Sequence, residues 1–247
     1  MSAVGRALLV VPAFNEERSV SNVVQAGRSF QYDVCVVDDG SIDRTAERAA
    51  DAGANVLRLP VNLGVGGALR CGFRWALQHG YDTVVQVDAD GQHDPGQVGI
   101  LLDVMCSSGA DMVIGSRFAD GAEPYPVRGV RRLAMRLLSA RVAKVSGVRV
   151  LDSSSGFRAI RRPLLDRFAA DYPVEYLGDT AEALIEAGCA GAKIVEYPIA
   201  MAPRAHGSGS ASSLASLWYV LRLLVAIELQ HKRRNTPPLR LPAAHAP

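Results

Sequence analysis

The chain has 247 residues, 49% of them apolar, and a formal net charge of only +2. That is enough for one α/β domain with a sizeable core, and too apolar for a disordered protein. The near-neutral balance argues against a general nucleic-acid binder. Cys35, Cys71, Cys106 and Cys189 lie far apart with no CxxC or Cys/His spacing. They argue against a disulfide framework or a structural zinc, and for free thiols in a reducing cytosol.

The N-terminus runs straight into a strand-like stretch, without the charged start and apolar region of a signal peptide. No run reaches the ~20 apolar residues that span a bilayer. The best candidate, residues 214–229, is broken by Arg222 and Glu228.

In chain order, residues 7–11 read as a buried strand ending at Pro12-Ala-Phe-Asn-Glu16, with a helix over 17–28. Residues 33–38 form a second strand ending in Asp38-Asp-Gly-Ser41, and Asp43 is placed to cap a helix to about residue 52. A third strand, 55–59, leads through a glycine-rich turn, 62–67, to a helix over 68–78. A fourth, 83–87, ends in Asp88-Ala-Asp90, followed by a helix over 96–106 and a strand over 111–115. Strands alternating with helices predict an α/β fold with a mostly parallel central sheet flanked by helices. Ligands bind beyond the carboxyl ends of such strands, where the clusters Asn15/Glu16, Asp38/Asp39, Asp88/Asp90 and Ser116/Arg117 fall.

The second half is less regular. Residues 127–145 predict an amphipathic helix, 163–168 a short helix, 180–187 a helix and 193–197 a strand. A polar loop over 203–210 precedes an apolar helix over 212–232. Residues 1–233 are expected to form one domain including that helix, and 234–247 a disordered Pro/Ala-rich tail.

Asp88-Ala-Asp90 is the chemical centre. Two carboxylates at a strand end can share one hard cation, Mg²⁺ or Mn²⁺, whose shell substrate phosphates complete. Such a cation offsets charge on a departing diphosphate. A solvated carboxylate pair is the bland alternative.

Pro12-Ala-x-Asn-Glu16, Val37-Asp-Asp-Gly-Ser-x-Asp43, Asn62-x-Gly64 and Val87-Asp-Ala-Asp-Gly-Gln-His-Asp-Pro95 occur in this order. Together they resemble the donor-binding half of family 2 glycosyltransferases with the Rossmann-like GT-A fold. Gly115-Ser-Arg117 and Ser155-Gly-Phe-Arg158 resemble further marks of the polyprenyl- or dolichyl-phosphate sugar synthases. The resemblance spans residues 7–210. It implies an inverting hexosyltransferase that takes sugar from a UDP- or GDP-sugar.

The same resemblance implies a pocket for base and ribose lined by Pro12, Ala13, Asn15, Glu16 and Asp39, with Asp39 accepting from the base. Leu63, Gly64 and Gly67 would shape that pocket. Asp88, Asp90 and Gln92 would surround metal and diphosphate, with Ala89 between them. Arg117 and Arg204 would contact phosphate oxygens, as the guanidinium fork does well. Asp152 and Asp179 are the candidate acceptor-side carboxylates, with Glu182 third; each could equally be a helix cap. A phosphate monoester acceptor, with its second pKa about 6, needs little help from a base. The 203–210 loop departs from the family pattern: Arg204-Ala-His-Gly-Ser-Gly-Ser210 lacks the usual lysine, and His206 is either a diphosphate contact or a surface histidine.

Between residues 127 and 150 stand Arg128, Arg131, Arg132, Arg136, Arg141, Lys144 and Arg149 with no acidic residue. A basic amphipathic helix suits an anionic membrane surface and a lipid phosphate. The 212–232 helix could dock on the domain, lie in the membrane interface or join two copies into a homo-oligomer. The expectation is a cytoplasmic protein, peripheral on the inner face of the membrane, using a polyprenyl-phosphate acceptor. A soluble small-molecule or natural-product acceptor is the alternative. A nucleotidyltransferase would want a basic glycine-rich loop after the first strand, where this chain is acidic. Gly64-Val-Gly-Gly67 lacks the GxGxxG spacing of a dinucleotide-binding oxidoreductase. A non-catalytic nucleotide-sugar-binding or scaffold protein is the reading from another class.

Overall fold

A computed structural model describes residues 6–119, 129–173 and 179–201, without the side chains of 129–134 and of Asp179. Arg204, His206, the 212–232 helix and the 234–247 tail lie outside the described residues, as do the side chains of Arg128, Arg131 and Arg132.

The elements in order are β1 (Ala7–Ala13), α1 (Val20–Ser29), β2 (Asp33–Asp38), α2 (Thr45–Asp51), β3 (Asn55–Arg58), α3 (Gly64–Gln78) and β4 (Thr83–Gln86). Then follow α4 (Val98–Ser108), β5 (Met112–Ser116), α5 (Gly129–Ser146), β6 (Arg158–Arg161), α6 (Leu164–Ala170), α7 (Asp179–Cys189) and β7 (Ile194–Pro198). The strands form one sheet in the order β3-β2-β1-β4-β6-β5-β7. Every strand runs the same way except β6, which is antiparallel to both β4 and β5.

Leu8, Leu9, Val10 and Val11 are all fully buried, because β1 is covered on both faces. Alternation sorts the strands between two cores. Leu8, Val10, Cys35, Val37 and Val84 meet residues of α3, α5, α6 and α7 on one face. Leu9, Val11, Val34, Val36 and Val85 meet α1 and α4 on the other.

The chain steps outward from β1 to β2 and β3, then returns to lay β4 on the other side of β1. That reversal opens a crevice at the carboxyl ends of β1 and β4.

The predicted elements fall in place with three differences. β6 was not expected: its four residues, Arg-Ala-Ile-Arg, show no apolar run, yet the strand lies between β4 and β5. α3 begins at Gly64 rather than 68, so the glycine-rich segment is the first turn of the helix. Asp179 opens α7 rather than sitting in a loop. Asp43 acts as predicted at the start of α2. Its carboxylate accepts from the Thr45 backbone N–H at 2.9 Å and also ties down the Glu17 N–H at 3.2 Å.

Candidate active site

Strand pairing aligns the loops around the crevice. Ala13 pairs with Asp38 at the ends of β1 and β2, and the Asp39 N–H donates to the Ala13 carbonyl. Asn15 stands at φ 55°, in the left-handed region that asparagine tolerates. Its N–H donates to Ser41 Oγ, and its Oδ1 accepts from the Ile42 N–H at 3.0 Å. The Glu16 N–H donates to Thr45 Oγ1, and its carboxylate accepts from Ser19 Oγ at 2.6 Å. Pro12 is half-buried and Ala13 buried beside this stitched pair of loops.

Asp39 is 3% exposed, and its Oδ1 accepts from the Leu63 N–H at 2.7 Å. Burial raises its pKa; the Leu63 and Gly64 N–H groups pull the other way without cancelling it. Asp39 thus fixes the turn into α3. There Leu63 is exposed, Gly64 carries the first helical position, and Gly67 packs its bare backbone on Leu63.

Beyond β4, Asp88 and Asp90 diverge. The Asp88 side chain is 39% exposed, whereas Asp90 is buried and accepts from the Gln92 N–H at 3.0 Å. Ala89 is buried between them, and Gln92 is half-buried. His93 is buried and stacks on Phe157, with ring centroids 5.1 Å apart. Its Nδ1 accepts from the Asp88 N–H at 3.1 Å and stands 3.7 Å from Asp88 Oδ2.

Among the described residues, no three His, Cys, Asp or Glu side chains converge into a closed metal cage. One open and one anchored carboxylate instead fit Mg²⁺ or Mn²⁺ binding, in which protein supplies few oxygens and phosphates the rest.

Arg117 and Asp152 meet, but not as ligand contacts. Arg117 Nε and Nη2 donate to the two oxygens of Asp152, each at 2.7 Å, and the Arg117 backbone N–H adds a third bond. Nη2 also donates to Ser154 Oγ. Asp152 is 0% exposed. Burial pushes its carboxyl up, but the hydrogen bonds and charge of Arg117 outweigh that and hold it below the usual range. A sealed, paired carboxylate cannot reach an acceptor, so the expected base role of Asp152 does not fit. Arg117 Nε and Nη2 are held by Asp152 and Ser154, so the expected phosphate contact would have to come from Nη1.

Sequence reasoning missed Glu196 and Gln86 here, and marked Arg158 only as part of a motif, without its buried role. Glu196 of β7 accepts from the Leu151 and Asp152 N–H groups at 2.7 and 2.8 Å. Arg158, fully buried, donates to the carbonyls of Ser153, Ser155 and Thr180. Gln86, the last residue of β4, is buried two residues before Asp88. No motif marks Glu196 or Gln86, and an arginine in a strand gives no sign of burial. Asp179 is placed only by its backbone, and Glu182 is buried on α7.

The Gly115-Ser-Arg117 and Ser155-Gly-Phe-Arg158 motifs prove to be one structure. Ser155 Oγ donates to the Gly115 carbonyl at 2.6 Å, and the Gly115 N–H donates to the Phe157 carbonyl.

Comparisons with known proteins agree with this architecture. The model of glycosyl transferase family 2 matches residues 8–168. An undecaprenyl-phosphate mannosyltransferase of Micrococcus luteus is 34% identical over 84% of this chain and 88% of its own. A polyprenol monophosphomannose synthase of Mycolicibacterium smegmatis is 34% identical over 66% and 64%. Glucosyl-3-phosphoglycerate synthase from Mycobacterium tuberculosis, solved with Mn²⁺ and UDP-glucose, superposes with a TM-score of 0.66 at 25% identity. That likeness covers 92% of this chain and 79% of the other. The family match, the sheet order and the acidic cluster at the β4 end together make this chain a glycosyltransferase of family 2, built on the GT-A fold.

Proposed function

We propose that the enzyme moves a sugar from a nucleoside-diphosphate sugar to a polyprenyl phosphate at the membrane face. The observation that carries this reading is the open Asp88 carboxylate at the β1/β4 crevice, beside the wall of Pro12, Ala13, Asp39 and the Leu63–Gly64 turn. Base and ribose lie against that wall, with Asn15 and Glu16 holding its rim. Asp39 keeps the turn in place through Oδ1 and accepts from the base. Asp88 and Asp90, with Gln92 next to them, hold Mg²⁺ or Mn²⁺. When bound, that cation neutralises charge on the diphosphate as it leaves.

An oxygen of the acceptor phosphate forms the new bond to the anomeric carbon, and the bond to the diphosphate breaks with inversion. The acceptor oxygen is already ionised near neutral pH, its second pKa being about 6, so no strong base is required. Asp179, at the start of α7, and Glu182 are the remaining acceptor-side carboxylates, and Arg204 joins Arg117 as a phosphate-binding arginine. The polyprenyl acceptor is supported by the names of two relatives and by exposed Arg136, Lys144 and Arg149 on and after α5.

A second reading, a water-soluble phosphorylated acceptor, is favoured by the likeness to glucosyl-3-phosphoglycerate synthase. Incubation with radiolabelled UDP-glucose or GDP-mannose, Mn²⁺, and either polyprenyl phosphate in vesicles or 3-phosphoglycerate tests both. Label in the solvent-extractable lipid supports the first reading. Label only in a water-soluble product overturns it in favour of the second.

A further inference from the structure

Gly156 leads into β6 and lies against the end of β4. A Cβ built on it would stand 3.1 Å from Asp88 Oδ1, 3.3 Å from Asp88 Oδ2 and 3.1 Å from Gln86 Nε2. Both neighbours therefore touch the space that glycine leaves open. Gln86 is the last residue of β4 and Asp88 lies two residues beyond it, and the side chains of both come against Gly156.

The two neighbours differ in freedom to move. Gln86 is 1% exposed and pairs in register with Arg158, whose guanidinium is tied to three carbonyls. Among the described residues Gln86 Oε1 finds no hydrogen-bond partner. The amide is enclosed by packing. The Asp88 side chain is 39% exposed and can yield only outward. On its other flank, His93 Nδ1 holds the Asp88 N–H and stands 3.7 Å from Oδ2.

We infer that Gly156 is a positioning residue for Asp88: its bare backbone and the Gln86 amide form the wall that sets where the carboxylate presents its oxygens to the divalent cation. The inference rests on the proposed role of Asp88 in holding that cation. A methyl group at 156 meets the enclosed amide on one side and drives the carboxylate out of place on the other. Loss of the amide does the reverse and lets the carboxylate fall back. Combining the two changes lets the methyl occupy vacated volume.

The test is Mn²⁺ binding in the presence of saturating UDP or GDP, followed by loss of the free-ion EPR signal. Gly156→Ala is expected to weaken Mn²⁺ binding by about tenfold, the loss typical of a residue that orients a metal ligand. Gln86→Ala weakens it as well, and the double variant recovers toward wild type, whereas metal-free uridine and guanosine binding stays unchanged in all three. That non-additive recovery is not expected of residues that only support the fold. Wild-type Mn²⁺ affinity in Gly156→Ala overturns the inference; if that variant does not fold, wild-type affinity in Gln86→Ala does so. Unchanged Mn²⁺ binding in Asp88→Asn, or none in the wild type, overturns instead the reading of Asp88 on which the inference stands.

Discussion

Arg117 and Asp152 show how a residue's role depends on its partner. Each alone looks like a ligand group, a guanidinium beside a strand end and a carboxylate beside a family motif. They lie 35 residues apart, and nothing in the sequence says that each holds the other. Removing one partner of a buried pair leaves an uncompensated charge, so Arg117→Ala should cost about 3–5 kcal/mol in denaturant unfolding. Lysine at 117 cannot restore the two-pronged contact and should recover little.

Asp152 adds a pH signature. Its folded pKa lies below the unfolded value of about 3.9, so its stabilisation is complete above that value and is lost as pH falls through the folded one. The stability gap between wild type and Asp152→Asn should therefore be widest at neutral pH and close in acid. A gap that persists unchanged in acid would contradict the pairing. By contrast Asp88 and Asp90 were legible as a strand-end acidic pair, because spacing along one chain segment sufficed.

At the scale of elements, apolar runs closed by polar turns identified six of the seven strands. β6 escaped because its burial comes from neighbouring strands and not from its own composition. Arg158 faces the core only because Ser153, Ser155 and Thr180 offer it carbonyls. The helix faces were legible by periodicity, but not how closely they approach the sheet. In α3, a Cβ on Gly72 would stand 2.5 Å from Val10 Cγ1 and 3.2 Å from Val37 Cγ2. Gly72→Ala gains helix propensity but must push α3 off β1 and β2. The overpacking should win, with a net loss of about 1–3 kcal/mol in thermal or denaturant melts. A stabilised variant would mean that the helix can shift freely, and that the donor-side wall it carries is less fixed than described.

For the whole molecule, the sheet divides two tasks. Under the proposed function, the β1–β2–β3 side with α1, α2 and α3 would carry the donor wall, and the β6–β5–β7 side with α5 and α7 would border the acceptor region. No helix among the described residues is long and apolar enough to cross a membrane. The proposed membrane contact would draw on exposed basic residues of α5 and on Leu137, which is 52% exposed beside Arg136. Replacing Arg136, Lys144 and Arg149 by glutamate should reduce co-flotation with anionic vesicles and leave nucleotide binding intact. Equal flotation of the variant would remove α5 from the membrane account. Donor and acceptor identity were not legible, since UDP and GDP sugars meet the same acidic cluster and differ in contacts that no motif encodes. The central claim is that Asp88 and Asp90 bind a nucleoside-diphosphate sugar through a divalent cation. Its most direct test is calorimetric titration with UDP-glucose and GDP-mannose, with and without Mn²⁺, on wild type, Asp88→Asn and Asp90→Asn. The account predicts Mn²⁺-dependent binding of one donor by the wild type and its loss in both variants. Donor binding that ignores the metal, or that survives both substitutions in folded protein, would contradict it.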